Sequence, residues 1–412
     1  MARIKPFKAI RPTRERAADV AALPYDVYSS EEARKVVWGK YDSFLRVDRP
    51  ETTLDERIKI DDPFVYETAA KNLQKLFDRG SVFQDETPCL YVYELVMDGR
   101  SQVGLVVCTA IDEYLDGTIK KHELTRADKE VDRIKHVDAC DANTGPIFLT
   151  YHQQENIDAI MKKAMANQPE YDFVADDGII HRAWVISDEG EINALVEAFE
   201  QVEALYIADG HHRSASAVKV GLKRREEHPD YTGEEEFNFF LSVLFPANQL
   251  AIMDYNRVVK DLNGLTKEEF IQALEKDFEV EEKGDTPVRP TEKAHFGMFL
   301  EDKWYEIKTK VLPDPQDPVA SLDVAILQDR ILVPILGIQD IRTDKRIDFV
   351  GGIRGLTELE RRVGLDMKLA FSMYPTAITE LMAIADANLL MPPKSTWFEP
   401  KLRSGLFIHK LS

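Results

Sequence analysis

Leu205-Tyr206-Ile207-Ala208-Asp209-Gly210-His211-His212-Arg213 is the stretch on which the reading of this chain turns. Four apolar residues in a row make a short buried strand, and Asp209-Gly210 ends it. From about His211 the pattern becomes helical, with Ala215, Ala217, Val218, Val220 and Leu222 mostly on one side of a helix reaching Arg225. A strand that hands over to a helix in this way presents the first N–H groups of the helix, which attract anions together with the helix dipole. Gly210 lets the backbone turn sharply and approach a ligand closely. Arg213 can give a forked hydrogen bond to a phosphate. His211 and His212 add donors, or one acid or base near neutral pH. Asp209 could act as a base, bind a metal or cap the helix. The plain alternative is an N-cap, a surface arginine and two partly buried histidines. Asp, Gly, two His and Arg together at one strand end favour the functional reading.

Working outward, strands and helices alternate. Residues 64–77 have helical periodicity, and Gly80 follows as a stop. Residues 89–96 and 102–110 read as a hairpin about Asp98-Gly99. Residues 120–132 are polar and charged, and 134–141 look helical. Residues 146–151, 181–187, 239–245 and 250–259 read as strands, and 191–202 as an amphipathic helix. The polar stretch 283–290, with Gly284, Pro287 and Pro290, reads as a loop at a boundary. Beyond it come a hairpin (294–300 and 304–307), a helix (322–331), strands at 348–351 and 369–374, and a helix at 377–388. The expected class is mixed α/β or α+β with a mixed sheet, divided into a phosphate-binding region (1–285) and a C-terminal α+β subdomain (286–412).

At 412 residues the chain exceeds what one hydrophobic core normally serves. The formal net charge of -20 repels a phosphate backbone, so nucleic acid is disfavoured as a partner. Cys89, Cys108 and Cys140 are scattered and odd in number, which argues against a disulfide framework and suits a reducing compartment. No window is long and apolar enough to span a membrane, and the first ten residues lack an apolar signal core. A cytoplasmic protein with no membrane partner is expected. Its oligomeric state is open.

Three other segments could carry chemistry. In Lys120-Lys121-His122-Glu123-Leu124-Thr125-Arg126, followed by Glu130, Asp132 and Arg133, Glu123 could be a general base toward a hydroxyl, and Lys121 and Arg133 could neutralise phosphate. The alternative is a solvated helix face with i,i+4 ion pairs. In Met391-Pro392-Pro393-Lys394-Ser395-Thr396-Trp397-Phe398-Glu399-Pro400-Lys401, followed by Ser404-Gly405-Leu406, Lys394, Ser395 and Thr396 could hold an anionic substrate and Trp397 or Phe398 could stack on a flat ligand, although a Pro-rich terminal loop packed on the body is the plainer reading. Pro24-Tyr25-Asp26-Val27-Tyr28-Ser29 is a pocket edge or a turn and cap. His136 and Cys140 lie i,i+4 but have no second pair at ligand spacing. Gly351-Gly352-Ile353-Arg354-Gly355 could cradle phosphate or make a tight turn. Nucleotide-binding and hydrolase fingerprints of the usual spacing are missing.

These motifs together, with Gly145-Pro146-Ile147, resemble the domain-of-unknown-function family numbered ten-fifteen over essentially the whole chain. The Asp-Gly-His-His-Arg run also resembles the phosphate-binding signature of the ParB/sulfiredoxin-like fold, among whose members are kinases of free serine. The resemblance implies a ParB/sulfiredoxin-like core and an enzyme of the kinase or phosphatase type. It would act on serine or phosphoserine in serine biosynthesis, with ATP, ADP or pyrophosphate and a magnesium ion. Carried over residue by residue, Gly210, His211 and Arg213 bind phosphate, aided by Lys121 and Arg133. Asp209 orients the transferring group, directly or as the metal ligand, and His212 is a further catalytic candidate. Glu123 is the candidate for the base. A nucleotide or phosphometabolite sensor without catalysis is the alternative, and a ParB-like DNA-binding or nuclease protein the second.

Overall fold

A computed structural model describes residues 1–125 and 127–412, so Arg126 of the polar segment lies outside the described residues. The chain forms two compact units, one of Met1–Lys121, Thr125–Leu250 and Pro400–Ser412, the other of His122–Leu124 and Ala251–Glu399. The architecture is mixed α+β, as expected. The division is not the expected one. The reading of 283–290 as a boundary fails because Phe278–Gly284 is a strand inside the second unit's sheet. That strand sits at the sheet edge, where Glu279, Glu281 and Glu282 are exposed and Phe278 is buried.

The sheet of the first unit uses β1 (Ile4–Lys5), β2 (Leu90–Met97), β3 (Arg100–Ala110), β4 (Ile119–Lys120), β5 (Ile147–Tyr151), β6 (Tyr171–Val174), β7 (Ile180–Ile186), β8 (Leu205–Asp209) and β9 (Phe239–Pro246). The order is β4-β8-β5-β9-β3-β2-β7-β6, with β1 on β3. The β4–β8 and β5–β9 pairs are parallel and the other pairs antiparallel. Every residue of β9 is buried, which is why Phe239-Phe240-Leu241-Ser242-Val243-Leu244-Phe245 reads as a continuous apolar run. The β2–β3 hairpin closes on Asp98 (φ 52°) and Gly99 (φ 79°), the two positive-φ positions that such a turn demands.

Helices accompany the sheet. These are α1 (Pro63–Asp78), α2 (Ala127–Cys140), α3 (Glu155–Met165), α4 (Glu189–Glu200) and α5 (His211–Glu227). Side chains of α3 and α4, such as Ile157, Met161, Leu195 and Phe199, pack with Leu149, Ile207 and Leu244 of the strands in one core. Asp188 caps α4 by accepting from Glu191 N–H at 2.9 Å. Helix α2 starts about two turns earlier than its apolar pattern suggests and packs along α5.

In the second unit six strands run in the order 278–284, 303–309, 295–300, 369–372, 255–259 and 347–351, all antiparallel. Among the described residues no helix is long and apolar enough to cross a membrane, and Cys89, Cys108 and Cys140 are all free thiols.

Candidate functional site

Strand β8 breaks register between Ile207 and Asp209, and Gly210 follows at φ 95°, ψ 29°. Only glycine adopts this conformation without strain. The carbonyl of Gly210 accepts the first helical bond of α5, from Ser214 N–H at 2.9 Å, so the N–H groups of residues 211–213 precede any intrahelical acceptor. The strand-to-helix handover expected from the sequence is therefore present.

Asp209 is not a simple cap of α5. Its Oδ1 accepts from Gly210 N–H at 2.8 Å, and its Oδ2 accepts from Lys401 Nζ at 2.7 Å. Burial alone would push the carboxyl up, but the Lys401 ammonium, His211 and the Gly210 N–H hold it below the usual range. Both oxygens thus receive donors within the first unit, a poor fit to a magnesium ligand, and no step below passes through a metal. Burial takes the His211 imidazole down to about 4, so it is neutral at pH 7. His212 is half-buried, and its charge acts on Glu130.

Arg213 points elsewhere. Its Nη2 is 3.4 Å from Asp48 Oδ2 and 3.4 Å from Ser404 Oγ, and its guanidinium lies 5.2 Å from the centroid of the Tyr25 ring. A Cβ on Gly145 would fall 1.5 Å from Arg213 Nη1, so the glycine is the space the guanidinium occupies. Arg133, on α2, faces the same tyrosine at 4.2 Å and binds Asp132 Oδ2 through Nε at 2.9 Å and Nη2 at 2.8 Å. Burial, with Asp26, pushes the Tyr25 hydroxyl up to about 12 against the two arginines, so the ring stays neutral. Asp48 is 1% exposed and accepts from Thr144 Oγ1 at 2.7 Å. Burial opposes its ionisation, but Arg213, His136, Arg133 and Thr144 together hold its carboxyl below the usual range. A small cavity, partly open to solvent, is lined by Arg133, His136, Thr144, Gly145, Ile147 and Arg213.

Arg133 and Arg213 are thus brought together. The lining of that cavity does not include Asp209, His211, His212 or Lys121. Lys121 is exposed, with Nζ 4.2 Å from the Tyr114 ring centroid, and its charge helps to lower His211. Glu123 belongs to the second unit. So do Lys394, Ser395 and Thr396, where Lys394 takes φ 62°. In that turn the Lys394 carbonyl accepts from Arg257 Nη2 at 3.0 Å and the Ser395 carbonyl from Thr376 Oγ1 at 2.9 Å.

Several other segments resolve plainly. Beside the polar stretch before α2, Glu130 binds Lys219 and Thr125. Residues 24–29 are a turn (Val27 N–H to Pro24 O, 3.1 Å) and a Ser29 capping box, and Tyr25 also edges the cavity through its contacts with the two arginines. His136 Nε2 is 2.8 Å from the Val47 carbonyl, and burial pushes the Cys140 thiol up to about 12, which does not suit a metal pair. At 351–355 the glycines make room for Trp397 and for Asp254, and a carboxylate there argues for a turn and not a phosphate cradle.

Asp48 is the site residue that sequence reasoning missed. Tyr25, Lys401 and Ser404 stand inside segments that could carry chemistry, but no local pattern marks their partners.

No curated protein matches the chain. Among solved structures, a free serine kinase variant in complex with ADP is 16% identical, over 74% of this chain and 92% of that one, with a TM-score of 0.36. A conserved hypothetical protein from Pyrococcus furiosus is 13% identical, over 74% and 94%, with a TM-score of 0.34. SbnI with a C-terminal truncation, from Staphylococcus aureus, is 12% identical, over 71% and 82%, with a TM-score of 0.36. The family model described as protein of unknown function (DUF1015) matches residues 4–325, and the chain belongs to that family.

Proposed function

We propose that the chain is a phosphotransferase that holds a nucleotide or pyrophosphate beside the first turn of α5 and moves a phosphoryl group to or from serine. The observation that carries the phosphate half is the convergence of Arg133 and Arg213 on one cavity. Among the described residues, Nη1 of both arginines and Nε of Arg213 donate to no acceptor. The 3.4 Å contact from Arg213 to Asp48 is long for a charge-assisted hydrogen bond, so a phosphate oxygen can displace it. Two planar guanidinium groups, with the dipole of α5 behind them, suit the charge that phosphoryl transfer must stabilise.

The serine half rests on the resemblance of Asp209-Gly210-His211-His212-Arg213 to the run found in free-serine kinases. In that reading a bond forms between the serine Oγ and phosphorus, the bond to the donor's bridging oxygen breaks, and the hydroxyl proton passes to a general base, which returns it in the reverse direction. Asp209 and His212 serve the transferring group.

The test is to incubate the pure chain with serine or phosphoserine and with ATP, ADP or pyrophosphate, and to follow phosphorus by NMR. Transfer supports the proposal. Ligand binding without transfer makes the chain a sensor, and neither binding nor transfer sinks both readings.

A further inference from the structure

The segment Pro400–Ser412 belongs to the first unit and is docked there at several points. Ser404 exchanges backbone hydrogen bonds with Ala22 at 2.8 and 3.1 Å, Ile408 exchanges two with Ile10 at 2.9 Å, and His409–Lys410 pairs with Ala142–Asn143. Gly405, at φ 86°, lies so close to Phe44 that a Cβ there would fall 2.5 Å from the Phe44 side chain. The position of the segment is therefore set by its own pairing and packing. From it two side chains reach opposite ends of the Asp209–Arg213 run: Lys401 Nζ meets Asp209 Oδ2 at 2.7 Å, and Ser404 Oγ meets Arg213 Nη2 at 3.4 Å.

We infer that this segment is a wall of the phosphate site, with Lys401 and Ser404 as positioning residues for Asp209 and Arg213. The inference rests on the phosphate-binding reading above. Its physical reason is charge. A bare carboxylate at the start of α5 would repel an incoming phosphate, and at short range in a partly dry site that repulsion is weakly screened. The Lys401 ammonium, 15% exposed, cancels it while leaving Asp209 ionised and fixed in place. The guanidinium is seated against Gly145 with Ser404 Oγ beside it at 3.4 Å, so packing more than hydrogen bonding orients Arg213 before a ligand arrives.

The experiment is calorimetric titration of the full chain with ADP and with pyrophosphate, alongside thermal melts. Lys401→Met is expected to weaken both ligands by about tenfold or more, Lys401→Arg to restore most of the affinity, and Ser404→Ala to weaken them by about threefold. The double variant Lys401→Met with Asp209→Asn, in which the exposed charge is gone, is expected to bind better than Lys401→Met alone. A merely structural lysine would give no such recovery. Wild-type affinity in Lys401→Met, or no recovery in the double variant, overturns the inference and leaves the phosphate reading standing. If Lys401→Met does not fold, unchanged affinity in Ser404→Ala together with loss in Lys401→Arg overturns it. Unaltered binding in Arg213→Ala, or no binding by the wild type, removes the phosphate reading and this inference with it.

Discussion

Gly145 and Arg213 are fitted to one another: the point where a side chain would begin on the glycine is 1.5 Å from Nη1 of the arginine. Gly145→Ala must therefore push the guanidinium off its seat. The expected cost is about 1–3 kcal/mol of stability, the range for overpacking, with a parallel loss of affinity for pyrophosphate. A double-mutant cycle checks the cause. Combined with Arg213→Ala, the alanine at 145 should cost much less, because the clashing atoms have gone. Additive losses would put the strain elsewhere.

Asp209→Asn and Arg213→Ala are each expected to leave the chain folded while lowering phosphoryl transfer by roughly tenfold or more. They should differ in binding. Arg213→Ala loses ADP, whereas Asp209→Asn keeps it. Turnover and titration on the same preparations read both, and normal turnover in both variants would remove these residues from the chemistry.

Gly210→Ala puts a side chain on a residue at φ 95°. Space is not the difficulty, since a Cβ there meets nothing closer than 3.7 Å. The backbone conformation is, and about 1–3 kcal/mol is expected from urea melts. The first turn of α5 should shift with it, so pyrophosphate affinity falls as well.

Buried histidines set a pH dependence. Burial takes His136 down to about 4, His181 to about 3 and His211 to about 4, from an ordinary 6.5. Between about pH 6.5 and 4.5 the unfolded chain binds protons at these positions that the folded chain does not, so each makes stability fall as pH falls. Burial raises Glu113 and Asp323 to about 7, and these act in the opposite sense over the same window. Three groups against two leave a net loss toward acid. Replacing His136 by Asn should flatten the slope of stability against pH by up to about 1.4 kcal/mol per pH unit, measured by urea melts at several pH values. An unchanged slope would mean that His136 titrates normally.

What the sequence disclosed was local. Asp98-Gly99 announced its hairpin, and Ile207-Ala208-Asp209-Gly210 announced a strand yielding to a helix, because each signal lies within a few residues of its effect. The wall around Arg213 was illegible for the opposite reason. Asp48, Gly145 and Ser404 meet it through tertiary packing, and nothing beside Asp48 in Arg46-Val47-Asp48-Arg49 marks a buried carboxylate. The boundary expected at 285 failed because the loop there joins two strands of one sheet, Phe278–Gly284 and His295–Leu300, and local polarity is the same for such a loop as for a linker. Helix α2 was read short because its first turns are charged, and its length follows from packing on α5.

The docking of residues 401–404 beside the start of α5 also bears on how the protein comes into being. A polypeptide emerging from the ribosome holds Asp209 and Arg213 long before it holds Lys401 and Ser404, and the loops that must close to join them span nearly half of the chain. The anion site is therefore among the last features to mature. A nascent or prematurely terminated chain can build β8 and α5 and still bind nothing there.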